Sequence, residues 1–240
     1  MYRIKKVLNN NVVQATANFQ EYIIVGLGVG FRMKPMQKIP EEKIEKVFEL
    51  KREDYYKSSQ LVVEMDQERF MKLYNIVESE SNRMKMSLAP HAFFTLIDHM
   101  NFAMERFKNG QEIKNMLIYD LKILYADEFR LAENIYHRFN KSFDMELPFD
   151  EVGFLTIHIV NGLNHEIDNK STLVIDAVFN MLNIIRDTFL VPLKQEELMT
   201  QRIMIHLKML LHRVISGIQL EFDEIVLYNV IEEFQNDYKV

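Results

Sequence analysis

The period of the apolar pattern changes once along this chain, in the stretch between Pro35 and Pro40. Before it, apolar residues fall in short β-branched or aromatic clusters: Tyr2 with Ile4, Val7-Leu8, Val12-Val13, Tyr22-Ile23-Ile24-Val25, and Val29. Clusters of this kind between turn residues predict short antiparallel strands. Asn9-Asn10-Asn11 supplies the first turn, because Asn tolerates positive φ, and Asn18-Phe19-Gln20 supplies a second. Three of the chain's seven glycines stand at 26, 28 and 30, at the third connection. A β unit of about 33 residues buries little surface, so it needs cover, most simply from a second copy of itself.

From Pro40 onward the pattern is helical. Glu41 to Leu50 reads as a short helix, and the polar stretch holding Lys51-Arg52-Glu53-Asp54 and Ser58-Ser59 reads as a linker. In 91–107, Phe93, Ile97, Met100, Met104 and Phe107 share one face at a period near 3.6 residues. Residues 113–125 are strongly apolar. Pro148 precedes a further helix with Asp150 near its start. Segments 173–190 and 195–215, separated by Pro192, predict two more, and a last helix runs from about Phe222 onward. A weak internal repeat crosses this region. His99 with Arg106 matches His206 with Arg213, and Tyr119, Leu121, Tyr125, Asp127 and Phe129 match Tyr228, Val230, Phe234, Asn236 and Tyr238 at an offset of 109. The counterpart of His158 would fall near position 267, past residue 240, so the second repeat is expected to be incomplete.

Charge separates the two regions. Residues 1–38 carry Arg3, Lys5, Lys6, Arg32, Lys34 and Lys38 against Glu21, a net +5, which leaves −11 for the remainder of a chain whose total is −6. A basic head on an acidic body suits an anionic partner at the head. There is no cysteine, hence no disulfide framework or thiolate metal site. No apolar run has the length of a membrane span and no signal segment opens the chain, so the reading is a cytoplasmic protein without membrane insertion.

The Gly-x-Gly-x-Gly cluster joins two short strands and no long helix follows it, which removes the dinucleotide reading. A turn needing positive φ and a close backbone approach to a ligand both remain open. Phe31 beside glycines and Arg32 is either core or a platform for an unpaired base. Asn9, Asn10 and Asn11 are either a turn or amides that reach base edges, and Lys6 is either solvated or a phosphate contact. Among the histidines, His99 and His206 flank apolar stripes, and His158 shares a helix face with Glu151, Leu155 and Gly162. Each is either a packing residue or a phosphoacceptor, since about two added negative charges at a contact would change its packing. No spacing for a metal site, no nucleophile motif and no cofactor motif is present, so neither an enzyme nor a cofactor protein is expected.

Taken in order, these segments resemble the BglG/SacY family of bacterial transcriptional antiterminators. Lys6-Val7-Leu8-Asn9-Asn10-Asn11-Val12 and Gly26-x-Gly28-x-Gly30-Phe31 are similar to its co-antiterminator RNA-binding domain, with Glu45-Lys46-Val47-Phe48 after them. Asp98-His99-x-Asn101-Phe102-Ala103, then Leu147-Pro148-x-Asp150-Glu151-x-Gly153-Phe154 with His158-Ile159-Val160-Asn161, is similar to its first phosphotransferase-system regulation domain. His206-Leu207-Lys208 with Arg213 is similar to the start of a second. The resemblance implies a multidomain, mainly α protein: a dimerising antiparallel β domain at 1–55 with its linker, a helical-bundle regulation domain at 56–168, and an incomplete second one at 169–240. It implies a homodimer that stabilises an RNA hairpin in a nascent leader transcript, overlapping a terminator upstream of sugar-utilisation genes. Its other partners would be the phosphocarrier protein and sugar-specific transporter components of the phosphotransferase system. RNA contacts would be Lys6, Asn9, Asn10, Asn11, Gly26, Gly28, Phe31 and Arg32, and phosphorylation would fall on His99, His158 and His206.

One position departs from the family pattern: Leu27 stands between the first two glycines where Lys or Arg is usual. Two rival readings follow. A phosphorylated helical signalling module without RNA binding is separated by salt-dependent binding to a short RNA hairpin. A DNA-binding activator with the same regulation domains would need an N-terminal helix-turn-helix, whereas residues 1–38 read as strands.

Overall fold

A computed structural model describes residues 1–115, 117–163, 171–193, 197–215 and 217. Four antiparallel strands open the chain: β1 (Arg3–Asn9), β2 (Val12–Ala17), β3 (Gln20–Val25) and β4 (Lys46–Glu49), paired in chain order. Among the described residues eight α-helices follow: α1 (Arg52–Glu64), α2 (Gln67–Met84), α3 (Pro90–Lys108), α4 (Ile118–Leu124), α5 (Ala126–Phe143), α6 (Asp150–Leu163), α7 (Ser171–Phe189) and α8 (Leu198–Ile215). The chain divides into two compact units, Met1–Thr172 and Leu173–Val240.

Alternation along the strands gives the sheet two apolar faces. On one, Ile4, Val13, Ala15 and Ile24 form a core with Val29 and Ile39. The chain's own return closes it, with Ile39 N–H donating to Tyr2 O and Ile4 N–H to Gln37 O. On the other face Val12, Gln14, Ile23, Val25 and Phe48 are also buried. Helices of the same unit cover that face. Gln14 Nε2 donates to Ser59 Oγ of α1 at 2.7 Å, and the Phe48 ring packs 5.1 Å from Phe93 and 4.9 Å from Phe94 of α3. Lys46 pairs with Glu78 of α2. This face of the sheet is thus covered by helices α1, α2 and α3 of the same unit.

Three expectations need correction. The helix expected over 41–50 is a single 3₁₀ turn, Glu41–Lys43, followed by β4. Val47 and Phe48 are strand formers, and they satisfy the free edge of β3 by pairing Ile24 with Val47 and Ile23 with Phe48. The linker expected through Ser58-Ser59 is helix α1: Tyr55, Ser58, Ser59 and Val62 are its buried face, and the two serines hide the apolar stripe. The apolar run 113–125 is helical only from Ile118, because Asn115 ends the preceding loop by accepting Leu117 N–H on its side chain. The last helix, expected beyond Phe222, lies outside the described residues.

Helices α2, α3, α6 and α5 form a bundle in which each packs on two neighbours. Phe70, Leu73, Val77, Ile97, Leu131, Ile135, Phe139, Val152 and Ile159 fill it. The Asp66 carboxylate caps α2 by accepting Arg69 N–H at 2.9 Å. Buried Glu80 ties α2 to α5 through Arg138 at 2.8 Å, and Arg83 donates to the same carboxylate. Burial opposes ionisation of Glu80, but the two guanidinium partners outweigh it and hold its pKa below the ordinary value. In the second unit, Val174, Ile175, Val178 and Leu182 make one buried stripe of α7. No helix among the described residues is long and apolar enough to cross a membrane.

Candidate nucleic-acid interface and histidine site

The Asn triplet and the glycine loop are one structure. Asn9 Oδ1 accepts the Asn11 N–H at 2.8 Å, which sets the β1–β2 turn. Asn11, itself buried, then holds the loop: its Oδ1 accepts Gly28 N–H at 2.8 Å, and its carbonyl accepts Gly26 N–H at 3.0 Å. Gly30 N–H donates to Asn10 O at 2.9 Å. The glycines answer two needs. A Cβ on Gly26 would lie 1.9 Å from Lys43 O, and one on Gly30 2.3 Å from Asn9 O. Gly28 takes φ +67°, the left-handed region. Lys43, which the sequence reading passed over, donates from Nζ to Gly28 O at 3.3 Å.

This packing leaves a definite set of groups outward. Lys6 and Asn10 are exposed, Phe31 is 51% exposed, and Leu27 is 75% exposed. The Arg32 guanidinium lies 5.1 Å from the Phe31 ring centroid, a cation–π contact that orients both. Arg32 itself sits at φ +56°, a strained conformation for a side chain of that size. Asn9 Nδ2 has no hydrogen-bond partner among the described residues.

The second constellation lies in the bundle, where α3 crosses α6. Gly162 permits that crossing: a Cβ there would stand 2.1 Å from the Ala92 Cβ, and Ala89 N–H donates to Gly162 O at 3.1 Å. Two turns apart on α3, His99 and Arg106 point at one carboxylate of α6. His99 Nε2 is 2.9 Å from Glu151 Oε2, and Arg106 Nη2 is 2.6 Å from Glu151 Oε1. All three side chains are nearly buried, at 12%, 11% and 5% exposure for His99, Arg106 and Glu151. Burial opposes ionisation of Glu151, but hydrogen bonding and charge from His99 and Arg106 outweigh it, and its pKa is lowered. Two turns beyond Glu151, His158 brings its ring to 5.0 Å from that of His99. Burial, then the neighbouring His99, push its pKa down to about 4, so the ring is neutral at pH 7. His158 also lines an open cleft of about 830 Å³ shared with His91, Thr95, Asn161 and Arg52, so it is reachable from solvent.

Two family models match these regions: a CAT RNA binding domain over residues 2–57 and a PRD domain over residues 74–162. Transcription antiterminator LicT of Bacillus subtilis (strain 168) is 31% identical over 241 residues, 99% of this chain and 87% of LicT. Protein GlcT of Staphylococcus aureus (strain Newman) is 30% identical over 218 residues, 89% of this chain and 76% of GlcT. The crystal structure of GlcT CAT-PRDI superposes with a TM-score of 0.61 at 30% identity, covering 68% of this chain and 99% of that one. The chain belongs to this family of RNA-binding transcription antiterminators, which the phosphotransferase system regulates.

In this antiterminator, the sequence put Glu151 on the face of His158, and the structure bonds it to His99. The i, i+7 relation between His99 and Arg106 was the available signal. A shared anionic partner explains that spacing and could have been sought among the acids of α6. His206 lies in the second unit, exposed on α8 near Leu210 and Val214, which are exposed as well. His91 lines the cleft, His137 is exposed on α5, and His165 lies outside the described residues.

Proposed function

We propose that the surface made by Lys6, Asn10, Phe31 and Arg32, backed by Asn9, Asn11, Gly26 and Gly28, grips an RNA hairpin in a nascent leader transcript. The hairpin overlaps a terminator upstream of sugar-utilisation genes, and bound protein keeps the terminator from forming. The observation that supports this reading most is the hydrogen-bonded union of the Asn turn with the glycine loop, which leaves an aromatic ring and cations outward on a rigid base. Aromatic stacking gives affinity for unpaired bases, while Lys6 and Arg32 meet phosphate. The acting form is a cytoplasmic homodimer.

Control enters at the histidines. His99 and His158 in the region 56–168, and His206 in 169–240, accept phosphoryl groups from the phosphocarrier protein and from sugar-specific transporter components. A phosphoryl group adds about two negative charges. At His99 they arrive beside buried Glu151, whose carboxylate is held by Arg106 and by the His99 ring nitrogen. Repulsion from Glu151 then biases the α3–α6 crossing toward a second arrangement.

Titration of the 240-residue protein with a short RNA hairpin, repeated at several salt concentrations, tests the first half. Micromolar or tighter binding that weakens steeply with salt is expected. Binding no tighter than to an unrelated duplex of equal length would reject it. Incubation with phosphorylated phosphocarrier and mapping of the label tests the second half, with label expected on His99, His158 and His206. Label confined to His91, His137, His165 or His212 would reject it.

A further inference from the structure

We propose that the phosphoryl group on His99 is carried by Nδ1, and that Glu151 is the positioning residue that dictates this by holding the proton on Nε2. The inference rests on the reading of His99 as a phosphoacceptor.

The geometry decides between the two ring nitrogens. Glu151 Oε2 lies 2.9 Å from His99 Nε2 in a site where the carboxylate is 5% exposed. A second, 2.6 Å contact from Arg106 keeps that carboxylate ionised. An ionised carboxylate only accepts hydrogen bonds, so the proton between the two atoms sits on Nε2. In the neutral imidazole the lone pair is then on Nδ1, which has no hydrogen-bond partner among the described residues. The Phe154 and His158 rings, 5.9 and 5.0 Å away by centroid, fix the plane of the ring.

The transfer balances on these groups. The donor is a phosphohistidine of a phosphocarrier protein. The Nδ1 lone pair attacks its phosphorus, the donor N–P bond breaks, and the bonding electrons return to the donor nitrogen. The new N–P bond forms at Nδ1. The Nε2 proton stays in place, and the positive charge that develops on the ring faces Glu151. Arg106 prevents Glu151 from taking that proton by stabilising the carboxylate form. Nucleophilic attack from Nε2 would instead require breaking a buried charge-assisted hydrogen bond before any bond to phosphorus formed.

The test is the isomer of phosphohistidine formed on the full 240-residue chain. The protein is labelled with ¹⁵N in histidine, phosphorylated by the phosphocarrier, held at alkaline pH, and read by ³¹P–¹⁵N coupling and by isomer-selective antibodies after mapping to the His99 peptide. Nδ1-phosphohistidine at 99 is expected. Nε2-phosphohistidine at 99 would overturn this proposal and leave His99 an acceptor, whereas absence of label at 99 would overturn both. Glu151→Gln supplies a second reading. An amide can donate as well as accept, so it no longer enforces one tautomer. Labelling at His99 should slow by roughly an order of magnitude or more and lose its isomer purity. Pure Nδ1 product at an unchanged rate in folded Glu151→Gln would remove Glu151 from the role. A role in packing alone predicts no change of isomer, so the readout separates positioning from structure.

Discussion

The His99 and His158 rings stand 5.0 Å apart, centroid to centroid, one on α3 and one on α6. At that separation two groups of about two charges each repel by about 3 kcal/mol even at the dielectric of water, and by more in a half-buried site. On the proposed reading, the two histidines are therefore expected to act as one phosphorylation site with alternative acceptors. Under saturating phosphodonor, intact-mass measurement at alkaline pH should find one phosphoryl group per 56–168 region, divided between the two residues. Replacing either histidine with alanine should move the label to the other. A doubly modified region as the main species would show that the rings separate on modification.

His158 also sets an acid limit on the fold. Its pKa is pushed down to about 4 from an ordinary value of 6.5, first by burial and then by His99. Above pH 6.5 the ring is neutral whether the chain is folded or not, and nothing is lost. Between about pH 6.5 and 4 the unfolded chain takes up the proton and the folded chain does not. Stability is lost through that window, by up to roughly 3 kcal/mol. Glu151, with its pKa lowered, adds a further loss only at the acid end, where the carboxylate itself protonates. Urea unfolding followed by circular dichroism between pH 7.5 and 4 should show the slope, and His158→Asn should flatten it. A slope unchanged in His158→Asn would locate the acid sensitivity elsewhere.

What the sequence revealed and what it hid follow from the range of the forces involved. The β head, the α3 stripe and the start of α6 are local patterns, and all three are present. The segment 41–59 departs from its expected helix and linker because its structure is set at long range. Phe48 is drawn into a strand by β3 and by Phe93 and Phe94, and Ser59 of α1 is buried where it accepts a hydrogen bond from Gln14 of β2. The same applies within the sites. Each of Asn11, Gly26 and Gly30 reads as a turn residue or a ligand contact from sequence. Only the fold shows that Asn11 buttresses Gly28 and that Lys43 O occupies the space above Gly26. The bond from His99 to Glu151 joins residues 52 apart in sequence, beyond any helical period.

This distinction separates two kinds of loss in RNA binding. Gly26→Ala would force a methyl group to within 1.9 Å of a backbone carbonyl that cannot rotate away. It should destabilise the sheet by about 2 kcal/mol or more and abolish binding through the fold. Phe31→Ala removes a ring that is 51% exposed and should leave the fold intact while weakening RNA binding by about 1–3 kcal/mol. Thermal melts and hairpin titrations on both variants check the contrast. Full-strength binding by folded Phe31→Ala would remove the ring from the interface.

Leu27 offers the converse experiment, a gain of binding. Its side chain is 75% exposed at the crest of the glycine loop, while its N–H is tied to Glu45 Oε1 at 3.1 Å, so the backbone that presents it is held. An exposed leucine there contributes no charge to a surface that otherwise presents Lys6 and Arg32. Leu27→Arg adds a guanidinium whose length and five donors suit phosphate. Glu45 lies close enough to compete for it, but an exposed pair of that kind is worth at most about 1 kcal/mol, less than a charge-assisted contact to RNA returns. The variant should therefore bind the hairpin more tightly at low salt. The slope of log affinity against log salt should steepen by about one unit, the signature of one more phosphate neutralised. Leu27→Gln, of similar length and uncharged, should leave the slope unchanged. An identical slope in Leu27→Arg would mean that position 27 faces away from the RNA and that the loop meets its ligand through Phe31 and Arg32 alone.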